Sequence, residues 1–157
     1  METDVILDTD VIIDYLKKKP DPTATQLFHR IKEGRLTAHT TSISAFELYR
    51  GARLAPQPEK RMLEVKGILW TVFLHFDEAA ANTASEISVA LEKKGELIEV
   101  RDLFIGAIAR TSRLPLVTKN RHNEYEDNKN KLSDFHFLLL SYSQHIVTGF
   151  LVLFYEL

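Results

Sequence analysis

No cysteine occurs among the 157 residues. Its absence excludes a disulfide framework, a thiolate nucleophile and cysteine-ligated zinc, and it accords with a reducing, cytoplasmic setting. Nor is there a run of about 18 apolar residues, so no membrane-spanning helix is expected. The N-terminal METDVILDTD has neither the basic start nor the apolar stretch of a signal peptide. Excess charge of one sign is also missing. Lys and Arg number 20 against 22 Asp and Glu, a net charge of −2, which gives no global attraction to nucleic acid. Any such contact has to be local and organised by a site. Walker-type loops, Gly-rich dinucleotide turns and nucleophile elbows are all absent.

What is present suits one compact domain over residues 1–157, with 45 % hydrophobic and 27 % charged residues. No internal repeat, linker or low-complexity tract interrupts it. Asp4 to Asp8 (DVILD) is a short β-branched run ending in an acid, the pattern of a buried parallel strand. Apolar residues at helical spacing from Val11 to Leu16 predict a helix stopped by Lys17-Lys18-Lys19-Pro20. A second helix is expected from Thr23 to Glu33, with Gly34 as its stop. Leu36 to His39 reads as a strand. Ser44 to Arg53 then reads as a helix, with Ser44 as N-cap and Glu47 at the capping-box position. Helices at Pro58–Trp70, Ala79–Lys94 (closed by Gly95) and Asp102–Arg110 alternate with strands at Val72–Phe76 and Leu116–Val117. This rhythm predicts an α/β fold, a central parallel sheet flanked by helices in three layers, α/β/α. The apolar C-terminal stretch, around Phe135–Leu140 and Ile146–Leu157, is expected to be buried.

Open parallel sheets bind ligands beyond the carboxyl ends of their strands. Asp8-Thr9-Asp10 falls at such a place. Each acid has two readings. Asp8 or Asp10 can cap the following helix or serve a site. Glu47 can close a capping box or pair with Arg50. Asp102 can complement a helix dipole. Together, however, these acids sit at the mouths of apolar elements of one core. Carboxylates gathered there repel one another, and a hard divalent cation relieves that repulsion. Oxygen-only ligands suit Mg²⁺ or Mn²⁺ rather than zinc. The six histidines lack metalloprotease spacing. His39, His75 and His145 read as packed or half-exposed strand residues. Arg121 and His122 can touch phosphate or simply face solvent, and Lys17 to Lys19 read as a solvated helix end.

Four segments carry a resemblance: LDTDVIIDYL (Leu7 to Leu16), SISAFELYRGA (Ser42 to Ala52), VRDLFIGAIA (Val100 to Ala109) and LVTKN (Leu116 to Asn120). In their order and spacing the chain resembles the PIN-domain family, in particular the small VapC-type toxins of toxin–antitoxin pairs. The resemblance implies a parallel sheet flanked by helices, with an acidic pocket for one or two Mg²⁺ or Mn²⁺ ions. Asp8, Glu47 and Asp102 match the family's first three acids. Thr9 and Thr118 match supporting hydroxyl positions, and Asp10 falls at a more variable one. The fourth acidic position is Asn120, which offers a carbonyl without charge. Glu124, one helical turn on, can replace that charge. A further departure is the segment Glu126 to Lys131 running into an apolar tail.

The activity implied is metal-assisted hydrolysis of an RNA phosphodiester, single-stranded RNA being the better fit to a narrow acidic cleft. Arg50, Arg53, Lys119 and Arg121 are candidate RNA contacts. A cognate antitoxin and a homodimer are the partners implied, with no membrane. Two other readings remain. Asp8-Thr9-Asp10 mimics the nucleophile and acid of haloacid-dehalogenase-type phosphatases, although Val11 stands where those enzymes carry Gly. The chain can also be a PIN-fold binding module without activity.

Overall fold

The computed structural model describes residues 3–69, 72–119, 145–147 and 150–153. Strands β1 (Thr3–Leu7), β2 (Leu36–Thr41), β3 (Val72–Leu74) and β4 (Leu116–Thr118) run parallel. Helices α1 (Thr9–Tyr15), α2 (Pro22–Lys32), α3 (Ser42–Arg53), α4 (Pro58–Ile68), α5 (Glu78–Lys93) and α6 (Val100–Ser112) connect them. Two further strands, β5 (His145–Val147) and β6 (Phe150–Leu153), join antiparallel beyond β4. The sheet order is β3-β2-β1-β4-β6-β5. The expected parallel sheet thus covers β1 to β4. The antiparallel pair, drawn from the apolar C-terminal stretch, was not foreseen.

The sequence of β1 explains its central place. Val5 and Leu7 pack with Val11, Ile12, Phe28, Leu48 and Val65 on one side of the sheet. Ile6 between them packs with Ile105, Ala109 and Leu116 on the other. All three strand residues are buried, as period-two side chains of a strand covered on both faces must be. Full burial of each such side chain contributes about 1.5–3 kcal/mol. Small residues let α6 lie close: Gly106, Ala107 and Ala109 are buried. Beyond α6 sits α5, with Ala84, Ile87 and Leu91 against Leu103 and Ala107. The result is α1–α4 on one face and α6, backed by α5, on the other.

Helix ends follow local chemistry. Gly34 and Gly95 take positive φ of 69° and 70°, where L side chains are strained. The left-handed turns return Arg35 N–H to the Arg30 carbonyl and Glu96 N–H to that of Leu91. One cap differs from expectation. Thr41, not Ser44, caps α3 by accepting the Ser44 N–H at 2.9 Å. The helix starts three residues earlier than the Ser-x-x-Glu pattern suggests, with Ser44 buried and bonded to the Thr41 hydroxyl at 3.0 Å. Glu47 is therefore one turn into the helix and free of any capping-box role. Among the histidines, His39 lies in β2 with Nε2 3.3 Å from Asp4, whereas His75 follows β3 and is exposed.

Candidate active site

The strand order turns at β1, which pairs with β2 on one side and β4 on the other. A crevice opens where the connections from neighbouring strands diverge, beyond their carboxyl ends. Asp8 follows β1 there and Thr118 ends β4. Asp8 also caps α1, so the two readings of this residue coincide in one geometry. One carboxylate oxygen accepts the Thr9 N–H at 2.7 Å, and the other accepts the Thr118 hydroxyl at 2.9 Å. Asp10, one residue into α1, accepts the Lys119 N–H at 2.8 Å through Oδ2. Its Oδ1 is buried with no hydrogen-bond partner, an arrangement that is costly unless something else serves that oxygen.

Electrostatics mark the crowding. Burial, and then the neighbouring charge of Asp10, pushes the Asp8 carboxyl up to about 7, with Asp102 adding to the rise. Burial also raises Asp10. Asp102 stands in the first turn of α6. Glu47 approaches from α3, and both of its oxygens are engaged. The Thr9 hydroxyl donates to Oε2 at 2.6 Å, and an Arg101 Nη lies 2.8 Å from Oε1. The Arg101 Nε in turn lies 2.8 Å from Glu99, the N-cap of α6.

The crevice therefore brings together Asp8, Thr9, Asp10, Glu47, Asp102 and Thr118 from β1, α1, α3, α6 and β4. The candidate RNA contacts are placed differently. Lys119 turns its ammonium to Asp14 at 2.9 Å and Asp21 at 3.5 Å. Arg50 and Arg53 are exposed and line an open groove with Phe46, Tyr49, Leu54 and Phe73. Asn120, Arg121 and Glu124, with the question of the fourth ligand, lie outside the described residues.

Two residues of this neighbourhood have no role assigned from the sequence. Asp14 is buried on the inner face of α1 and takes Lys17 at 2.8 Å on one oxygen and Lys119 on the other. Its signal was available: an acid on the apolar side of a helix between Val11, Ile12 and Tyr15. Arg101 had no such signal, because only the fold brings it to Glu47.

Residues 5–127 match the model of the PIN domain. The chain belongs to the PIN-domain family. Among similar proteins, this PIN domain is 31 % identical over 121 residues to Ribonuclease VapC1 of Methanocaldococcus jannaschii, covering 76 % of this chain and 78 % of that protein. It is 29 % identical over 116 residues to Ribonuclease VapC2 of Haemophilus influenzae, covering 73 % and 85 %. The crystal structure of DNA-bound VapBC from Salmonella typhimurium superposes with a TM-score of 0.63 at 27 % identity, over 73 % of this chain and 83 % of that one. The PIN fold thus agrees with the expected architecture. These comparisons lend no support to a phosphatase of the haloacid-dehalogenase type. No helix among the described residues is long and apolar enough to cross a membrane.

The acids suit a hard cation in chemistry. They are oxygen donors only, Asp10 and Asp102 raise the pKa of Asp8, and Asp10 keeps a buried oxygen unserved. Among the described residues, though, no three acids or histidines are gathered as a ready ligand set.

Proposed function

We propose that this PIN domain is a Mg²⁺- or Mn²⁺-dependent ribonuclease, and the toxin of a type II toxin–antitoxin pair acting in the cytoplasm. The observation that carries the proposal is Asp8, half-buried beside Asp10 and Asp102 at the carboxyl end of β1, with its pKa pushed up to about 7. The ribonuclease names of the VapC relatives support the substrate class.

Asp8, Glu47 and Asp102 would hold the ion, with Asp10 beside them and Asn120 or Glu124 as candidates for a fourth position. A bound divalent cation supplies Lewis acidity and neutralises charge building on the phosphate. The chain's own residues prepare the place. Thr118 fixes Asp8 through its hydroxyl, and the Lys119 N–H fixes Asp10. Thr9 orients Glu47. Such fixed dipoles and charges cost no reorganisation when the reaction begins. Single-stranded RNA is the proposed substrate, with the exposed Arg50 and Arg53 available to its backbone. The DNA-bound VapBC structure of the similar Salmonella protein supports an antitoxin partner; that this partner covers the site, and that the chain forms a homodimer, are proposed with it.

The test is Asp102→Asn, a nearly isosteric change at a half-buried position in the first turn of α6. The variant should keep its fold by circular dichroism and lose RNA cleavage in Mg²⁺. Undiminished cleavage would remove Asp102 from the site. An inactive binding module is separated by calorimetry, since it would take up no Mn²⁺.

A further inference from the structure

Arg101 forms an ion pair with Glu47, a site carboxylate proposed as a metal ligand. It is held from two sides. Glu99, as N-cap of α6, accepts the backbone N–H of Arg101 at 2.8 Å through one oxygen and the guanidinium Nε at 2.8 Å through the other. The Arg101 Nη then reaches across to Glu47 Oε1 at 2.8 Å. The guanidinium is planar and rigid, so fixing two of its nitrogens sets the direction of the rest. Its side chain is nevertheless 44 % exposed, against 21 % for Glu47. The carboxylate is the enclosed partner and the arginine the accessible one.

In this geometry each Glu47 oxygen already has one partner. Oε2 is taken by Thr9 and Oε1 by Arg101. A second lone pair remains on each oxygen, but a divalent ion on Oε1 would sit against the guanidinium charge 2.8 Å away. The Thr9 bond is the shorter, and Thr9 is buried, whereas an exposed ion pair is weak and readily exchanged.

We propose that Arg101 is a positioning residue that acts as an internal counter-ion of the acidic site: it holds Glu47 in the metal-free chain, yields it when a divalent ion loads, and then faces the RNA phosphate. This rests on the metal-dependent ribonuclease reading above. The exchange keeps the acids at the mouth of the crevice offset by a cation in both states. In the metal-free state the guanidinium offsets the acids, and after loading the ion does so. The released arginine remains tethered through Glu99 at the edge of the crevice, where a phosphate can take the place of the Glu47 carboxylate. Planar guanidinium suits both acceptors.

The experiment is calorimetric titration of Mn²⁺ into the purified chain and into Arg101→Gln, Arg101→Lys, Glu47→Gln and the Arg101→Gln/Glu47→Gln double variant. Arg101→Gln should tighten Mn²⁺ by up to about fivefold, the range set by an exposed ion pair. Arg101→Lys keeps the charge but loses the fork, and should tighten it by a smaller factor. In the Glu47→Gln background Arg101→Gln should change nothing, because the competition runs through that carboxylate. With Mn²⁺ bound, Arg101→Gln should also weaken binding of a non-cleavable single-stranded RNA several-fold. Tighter metal and weaker RNA together form the signature. Equal Mn²⁺ affinity in wild type and Arg101→Gln, or a gain that persists without Glu47, overturns the role of Arg101 alone. No Mn²⁺ uptake by the wild type overturns the site reading and this proposal with it.

Discussion

Replacing Asp8 by Asn tests the electrostatics of the crevice with a sign that depends on pH. The Asp8 carboxyl, ordinarily near 3.8, is pushed up to about 7 by burial and then by Asp10. At about 1.4 kcal/mol for each pH unit, ionising it in the folded, metal-free chain costs at most about 4 kcal/mol. The unfolded chain releases this proton near 3.8 and the folded chain near 7, so the folded state holds more protons in between. Stability from the neutral form is therefore complete below about 4, falls as pH rises, and is gone above about 7. Asn removes the charge. It keeps an oxygen for the Thr9 N–H and turns an amide toward the Thr118 hydroxyl, which accepts instead of donating. Weaker hydrogen bonds take back about 1–2 kcal/mol. The expected net gain is about 2 kcal/mol at pH 8, or about 4–8 °C in Tm for a domain of this size, with no gain at pH 4. Thermal unfolding in EDTA at the two pH values reads this directly. Added Mn²⁺ should then stabilise the wild type and leave Asp8→Asn unmoved. An Asn variant less stable than wild type at pH 8, or a difference that ignores pH, refutes the reasoning.

Other consequences follow from the same contacts. Asp14 is held down to about 2 by hydrogen bonds from Lys17 and Lys119. The stability this brings is present above about 4 and lost as pH falls through about 2. Asp14→Asn should cost about 1–2 kcal/mol at pH 7 by urea unfolding, and the gap to wild type should close between about pH 4 and 2. Thr118→Val removes the hydroxyl that orients Asp8 at 2.9 Å while keeping the β-branched shape that fits a strand. It should lower cleavage about tenfold or more with little loss of Tm, and a wild-type rate would show that Asp8 needs no such support.

The architecture was legible because its signals are local. An apolar run ending in Asp8 predicts a strand buried on both faces, and Val5, Ile6 and Leu7 are packed from two sides. Gly34 and Gly95 were recognisable helix stops because a left-handed turn favours glycine. The α3 cap was misread because Ser44 and Glu47 fit a capping box by spacing alone. Thr41 ends β2 and wins the role through burial of Ser44. Lys119 looked like a phosphate contact, yet a buried carboxylate far back in the sequence, Asp14, holds its ammonium. Arg101 illustrates the same limit from the other side. Its partner Glu47 lies on another helix, and nothing in the local pattern connects them. The antiparallel β5 and β6 escaped because short apolar runs do not reveal which strand they will pair with.

The central claim is that the carboxylates beyond β1 hold a divalent ion for cutting RNA. Cleavage of a labelled single-stranded RNA, followed against Mn²⁺ concentration for wild type and Asp8→Asn, tests it most directly. The account predicts wild-type cleavage that rises to a plateau with Mn²⁺, vanishes in EDTA and is absent from the folded variant at every concentration. Cleavage that persists in EDTA, or that the variant matches, would contradict it.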